Sequence, residues 1–340
     1  MSIDTLRGVA VLAVLLCHLP FSRELGGGMH AAGNVSVFPD WLVAVLTRGH
    51  AGVNLFLVIS GFCIHARFAR GERASFLAFW RRRMRRLYPP YFVALIGTIG
   101  LAIMARRMGI HVDVRPVDLV LLVLLLQNVN GAADRIGNGP FWTLALEEQL
   151  YLLYFPLLWM RRRFGWIATI AAVALVTEAW RTFGGPPQLG PARWIEWALG
   201  AVAVEAWLGV IVLPWWCRSL FIGVVALALA LTTNSDGVYG IAFFILTNAA
   251  VAAESRGHLA RALAFVGVWS YSLYLTHEPV LVAAKALGLR LHADVAEIAI
   301  LRIVVPMLVA YAFHRLVERR FMHRRSIAGA DRPTSLAPLS

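Results

Sequence analysis

The sequence predicts an all-α polytopic membrane protein of about ten transmembrane helices, on three observations. Hydrophobic residues make up 59% of the 340 and charged residues only 15%, with a mean hydropathy of +0.68; a soluble domain is about 45–50% apolar. Apolar stretches of spanning length, roughly 17–25 residues each, recur along the chain. The 32 basic and 19 acidic residues give a net charge of +13, and the arginines gather at the ends of the apolar stretches. That pattern sets topology and attracts anionic lipid or an anionic substrate, and it argues against nucleic acid as the partner. The three cysteines, Cys17, Cys63 and Cys217, lie in or beside apolar segments. Their wide spacing offers neither a disulfide framework nor a metal motif.

The apolar stretches run over about 3–21, 41–65, 88–105, 141–160, 165–180, 193–212, 217–233, 238–253, 265–286 and 296–316. A further run, Val117 to Val129, is only about a dozen residues long before Asn128, Asn130 and Gly131 end it. If it crossed, there would be eleven spans and Arg161–Arg163 would lie outside. If it dips in and returns, ten spans place the strongest basic clusters and both termini in the cytoplasm. These clusters are Arg67 to Arg86, Arg161–Arg163, Arg218, Arg256 with Arg261, and Arg315 to Arg325. The expected fold is therefore ten spans with a re-entrant segment near 117–140, which must be surrounded by protein or a watery cavity. In this topology Arg106 and Arg107 fall outside, against the charge rule. Residues 1–322 form the transmembrane domain, and 323–340 read as a polar, disordered cytoplasmic tail.

The first stretch carries Arg7 and His18, eleven residues apart. That is almost three helical turns, so both share one face, roughly 16 Å apart along the axis. Asp4 lies on nearly the same stripe. Titratable groups inside a membrane helix are costly and face a polar interior, so the stripe suggests a working surface; the plainer alternative is a signal-anchor helix with a chance histidine. A cleaved signal peptide fits poorly, because Asp4 and Arg7 spoil the basic n-region and no small-x-small site follows Leu19.

Four further blocks carry polar groups. In the second stretch, Gly52, Asn54, Ser60 and Gly61 either build a site or serve close helix packing. Arg81, Arg82, Arg83, Arg85 and Arg86 put five arginines in six residues. The guanidinium fork binds phosphate bidentately, so this run suits a phosphate-rich cytosolic ligand or an anionic lipid anchor. Glu147 and Glu148 open the fourth stretch pointing about 100° apart, with Tyr151 one turn beyond Glu147 on its face. A buried Glu there acts as a general base or orients one, or caps a helix N-terminus. Ser270, Tyr274 and His277 form a polar stripe on one helix face, either lining a site or hydrogen-bonded in the interior. There is no GxSxG, Walker loop or HExxH, and no metal is expected.

In this order the blocks resemble the membrane acyltransferase-3 family, over about residues 5 to 321. Its Arg-x10-His element resembles Arg7 through His18. Its Gly-x-x-Phe-Phe-x-x-Ser-Gly-Phe stretch resembles Gly52 to Phe62, with Leu55-Phe56 as the central pair. Arg82, Arg83, Arg86, Tyr88, Pro89 and Tyr91 match the Arg-Arg…Arg-x-Tyr-Pro-x-Tyr element. Trp142, Leu144, Glu147 and Tyr151 match Trp-Ser-Leu-x-x-Glu-x-x-Phe-Tyr, which selects Glu147 over Glu148. Ser270 to His277 match Ser-Tyr-Ser-Leu-Tyr-Leu-x-His. Thr276 replaces a commoner Trp, and Cys63 a commoner Leu. The chain resembles the stand-alone form, without an SGNH-type esterase domain.

The resemblance implies transfer of an acyl group, commonly acetyl, from acyl-CoA to a hydroxyl of a sugar, glycan or glycosylated small molecule, with no tightly bound cofactor. It implies residence in a bacterial cytoplasmic membrane. His18 would be catalytic, as base or nucleophile, with Arg7 binding the donor or stabilising the oxyanion and Glu147 orienting His18. Arg82, Arg83, Arg86 and Tyr88 would hold the CoA phosphates. Asn54, Ser60, Trp142, Tyr151, Tyr274 and His277 would line the acceptor site. The competing class is a transporter or flippase in which Arg7, His18 and Glu147 relay protons or anions; the lack of an internal repeat weakens it. A third class is a membrane assembly module without catalysis.

Overall fold

The computed structural model describes residues 2–19, 40–72, 75–107, 114–253 and 257–322. The tail expected over 323–340 lies outside the described residues. Among these there are helices and no strand: α1 (Ser2–Cys17), α2 (Asp40–Thr47), α3 (Ala51–Ala69), α4 (Phe76–Arg107), α5 (Pro116–Val123), α6 (Ala132–Arg135), α7 (Trp142–Thr182), α8 (Trp194–Trp207), α9 (Leu220–Thr233), α10 (Asp236–Ala253), α11 (His258–Val268), α12 (Ser270–Arg290) and α13 (Val295–Leu316). Four helical runs are long and apolar enough to cross a membrane: Trp41–Ala69, Phe76–Arg107, Asp236–Ala253 and Ala296–Arg320. The protein is an all-α integral membrane protein. Several other apolar stretches make shorter helices than their hydropathy suggests. The 16 residues of α1 and the 14 of α8 and α9 extend about 24 and 21 Å, short of a ~30 Å hydrocarbon core.

The apolar run at 117–129 makes only the eight-residue helix α5, about 12 Å long and unable to cross alone. The chain turns at Leu125 (φ 55°) and comes back through α6. Buried Asp118 pins this turn, accepting hydrogen bonds from the Arg115 backbone (3.2 Å), Arg135 Nε (2.7 Å) and Asn130 (3.3 Å). Tyr91 (2.8 Å) and Tyr88 donate to the carbonyls of Leu122 and Val123 and fasten α5 to α4.

The stretches 141–160 and 165–180 are two arms of α7. Gly165, at φ 76°, takes a left-handed conformation that other residues rarely adopt. Gln149 on the first arm accepts from Gly190 N (2.8 Å), and Thr177 on the second donates to Pro191 O (3.0 Å). One turn therefore touches both arms, and the chain doubles back at Gly165 with Arg161–Arg163 beside the reversal.

α3 is central, packed against α1, α8 and α10. Glycines set its closest approaches: a Cβ on Gly61 would lie 1.9 Å from Trp197 O, and one on Gly200 2.0 Å from Val58 O. Backbone thus meets backbone between α3 and α8, as small residues permit in membranes. Gly52 faces α1 in the same way, since a Cβ there would lie 2.5 Å from Ala10 O. Of the two sequence readings for these glycines, helix packing is the one the contacts support. Gly61→Val is expected to destabilise by about 1–3 kcal/mol through overpacking, seen as a lower unfolding temperature in detergent. Gly97→Ala, with nothing within 4 Å, is the neutral control; equal behaviour of the two would refute the backbone contact.

Candidate active site

His18 lies one residue past the end of α1, half-buried. Its Nδ1 is 2.7 Å from Val14 O, with Cys17 Sγ 3.2 Å away. A carbonyl oxygen can only accept, so Nδ1 carries the hydrogen and Nε2 the lone pair. Arg302, from α13, holds the end of this helix by donating to Leu19 O (2.6 Å) and His18 O (3.1 Å). These carbonyls lie just past the C-terminus of α1 (Ser2–Cys17), where no further helical turn supplies donors.

The titratable ring packed on His18 is His277, edge-to-face with centroids 5.0 Å apart. His277 is fully buried in α12. Its Nδ1 lies 3.1 and 2.9 Å from Leu273 O and Tyr274 O, which again places the lone pair on Nε2. That nitrogen is buried and has no hydrogen-bond partner among the described residues. Tyr274 lies 5.7 Å from the His277 ring and 5.8 Å from Phe56, and its hydroxyl meets Thr143 Oγ1 at 2.7 Å.

Thr143 begins a polar stripe on α7. Thr143, Glu147 and Tyr151 follow at successive turns, about 12 Å in all. Glu147 Oε1 accepts from Ser60 Oγ (2.8 Å) and Tyr151 Oη (2.5 Å), and Trp197 Nε1 donates to Ser60 (3.3 Å). Glu147, expected to orient His18, has its Oε1 held by Ser60 and Tyr151 and lies within electrostatic reach of Arg7. Trp142 is half-buried against the same cluster as Tyr151 and Trp197.

At the far end of the stripe stand Arg7, Arg83 and Arg86. Arg7 lies 3.8 Å from Asp4 and within electrostatic reach of Glu147 and Glu318. The Arg83 guanidinium sits 5.6 Å from both the Tyr151 and Phe79 rings, a cation–π arrangement. Arg86 is within electrostatic reach of Arg7, Arg83 and Tyr151. The arginine run is therefore split. Arg81, Arg82 and Arg85 line a separate groove of about 710 Å³ with Trp80, Leu77 and Ser75. Tyr88, expected at the donor phosphates, has its hydroxyl on Val123 O instead. Asn54, expected beside Ser60, joins another group: Arg193 Nη1 donates to it (3.0 Å) and it donates to Asp236 (3.2 Å).

Two buried networks escaped the sequence reading. Glu205 accepts from Arg161 (2.9 and 2.7 Å) and Trp166 (2.7 Å) and meets His65 Nε2 at 2.8 Å, while His65 Nδ1 meets Tyr154 Oη at 2.9 Å. Glu318 Oε2 accepts from Ser272 (2.5 Å) and faces His314 Nδ1 at 2.8 Å. For Glu205 the signal was a lone charge in an apolar stretch, which also marks Arg302; Glu318, beside Arg315, Arg319 and Arg320, carried no such signal. Among the described residues no cluster of ligating side chains is suited to a metal ion.

A helical membrane domain with paired histidines at one end of a polar stripe and arginines at the other defines a membrane-embedded protein built around a polar, chemically equipped interior. Residues 2–315 match the acyltransferase-3 family, described as an acyltransferase domain, and the chain belongs to that family. It is an acyltransferase. It is 26% identical to "Acyltransferase MdmB" of Streptomyces mycarofaciens, over 99% of this chain and 94% of that protein. It is 22% identical to "Peptidoglycan O-acetyltransferase OatA" of Listeria monocytogenes and 24% identical to "O-acetyltransferase OatA" of Staphylococcus aureus. Each OatA match covers 93% of this chain but only 55% and 56% of the respective relative. No solved structure matches.

Proposed function

We propose that the protein is an O-acyltransferase that moves an acyl group, acetyl foremost, from acyl-CoA to a hydroxyl of a sugar, glycan or glycosylated small molecule. The observation that carries this reading is the imidazole of His18, its lone pair on Nε2, joined by the Tyr274–Thr143–Glu147–Tyr151 stripe to the arginine end. An imidazole in that tautomer serves as base or nucleophile toward a thioester. A long, thin donor with anionic phosphates would lie along this stripe, its phosphates at the arginines and its thioester at the histidine. The relatives' names add acetyl as the acyl group and peptidoglycan, a carbohydrate polymer, as one acceptor class. We further propose ten crossings of a bacterial cytoplasmic membrane, both termini cytoplasmic, with α5 and α6 as the re-entrant segment.

Donor phosphates are assigned to Arg83 and Arg86, with Arg82 at the edge between the two arginine faces, and Arg7, at the same end of the stripe as Arg83 and Arg86, is assigned to donor binding rather than to the thioester oxygen, which lies at the His18 end. Tyr274 and Trp142 are assigned to the acceptor. In detergent, Arg83→Ala and Arg86→Ala are each expected to raise the KM for acetyl-CoA about 10- to 100-fold, the loss of one hydrogen bond to a charged group. Arg81→Ala and Arg85→Ala should leave it nearly unchanged. Equal effects from all four would contradict the split. Solute counterflow in proteoliposomes, with neither acyl-CoA hydrolysis nor acyl transfer, would replace the enzyme reading with transport.

A further inference from the structure

His18 and His277 are built alike. Each has Nδ1 tied to the carbonyl four residues earlier in its own helix, Val14 O at 2.7 Å and Leu273 O at 3.1 Å. Each therefore keeps its lone pair on Nε2, the ring atom farthest from its backbone. Their ring centroids are 5.0 Å apart, and His277 Nε2 is buried with no hydrogen-bond partner among the described residues. An orphaned buried acceptor costs stability, by about 1–3 kcal/mol, so its persistence calls for a use.

A single proton transfer needs one lone pair, and the site presents two. If His18 Nε2 carries an acyl group, its remaining nitrogen is committed to Val14 O, and it has no lone pair left to accept the proton of an incoming hydroxyl. A two-step transfer on His18 therefore requires a second base within reach of the same carbonyl carbon. His277 is the imidazole packed on it.

We propose that the two histidines divide the reaction: His18 Nε2 carries the acyl group, and His277 Nε2 is the base that deprotonates the attacking hydroxyl. In the first half, the His18 Nε2–carbonyl bond forms as the thioester C–S bond breaks, and CoA leaves as the thiolate. In the second half, the acceptor oxygen bonds to the carbonyl carbon, the C–N bond to His18 breaks, and the hydroxyl proton passes to His277 Nε2. The His277 imidazolium then yields its proton to the thiolate or to solvent, which returns both rings to their starting state. This assignment rests on the acyl-CoA reading above and goes beyond it by separating acyl carrier from base.

The test separates the half-reactions in purified full-length protein. Exchange of labelled CoA into acetyl-CoA, without acceptor, reports the first half; acetyl transfer to an added sugar alcohol reports the whole. Wild type should do both. His277→Asn should keep exchange within a few-fold of wild type and lose transfer by about 100-fold or more, the size of general-base catalysis. His18→Asn should lose both. His277→Gln, with unfolding temperature and elution volume compared with wild type, guards against a folding artefact, and added imidazole should restore part of the transfer in His277→Asn. Parallel loss of exchange and transfer in both folded His277 variants overturns the proposal, because His277 would then only position His18. Wild-type transfer without any exchange also overturns it, in favour of direct attack on the thioester. Wild type that neither exchanges nor transfers to any hydroxyl overturns the acyl-CoA reading itself.

Discussion

His18→Ala is expected to abolish acyl transfer while leaving the protein folded. The loss should be at least the 10²–10⁴-fold associated with a positioned acid–base group, read as product per enzyme per minute against wild type. Retention of the fold follows from the contacts. The ring is half-buried, and its Nδ1 bond goes to the backbone of its own helix. The long-range hold on this end of α1 is the Arg302 guanidinium on the His18 and Leu19 carbonyls, which an alanine side chain does not disturb. Wild-type rates from a well-folded His18→Ala protein would remove His18 from the chemistry and leave the noncatalytic assembly reading standing.

Glu205→Ala should have the largest effect on stability. Its carboxylate is 2% exposed and takes bonds from Arg161 and Trp166 and a contact from His65. Breaking a buried charge pair by removing one partner costs about 3–5 kcal/mol, because the remaining charge is left uncompensated. The three partners come from α3 and from both arms of α7, on either side of the reversal at Gly165. Their common acceptor in α8 is thus a clamp on the hairpin. Glu205→Gln, which keeps one acceptor oxygen, should fall between wild type and Glu205→Ala in unfolding temperature. An alanine variant as stable as wild type would show that the network adds nothing to the fold.

The sequence held much of this site, for a definable reason. Polar residues that repeat at helical spacing inside an apolar stretch share a face whatever the tertiary fold. Arg7 with His18, Glu147 with Tyr151, and Tyr274 with His277 were readable in that way. Contacts between distant segments were not. Nothing in the local pattern pairs Glu147 with Ser60, 87 residues away, or tells that Tyr88 reaches a carbonyl of α5. The division of the arginine run was in principle accessible, since Arg81 and Arg85 share one helix face and Arg83 and Arg86 lie on another; deciding which face looks inward required the packed neighbours Phe79 and Tyr151. The number of crossings does not follow from the same pattern, because hydropathy measures how apolar a stretch is and not how long its helix stays unbroken.

Arg302 gives the paired-histidine site a mechanical property. α12 carries one imidazole and packs against α13, while α13, through Arg302, grips the end of the helix that carries the other. The gap between the two rings is thus set by a third helix as well as by the direct packing of α1 on α12, as the jaws of a calliper are set by its frame. A small tilt of α13, whose outer face includes the exposed side chains Ile300, Val304 and Leu308, would change the ring separation on which the proposed acyl and proton transfers depend, without touching either ring. On that proposal, membrane thickness and lipid packing around α13 would become variables of the catalytic rate as well as of stability.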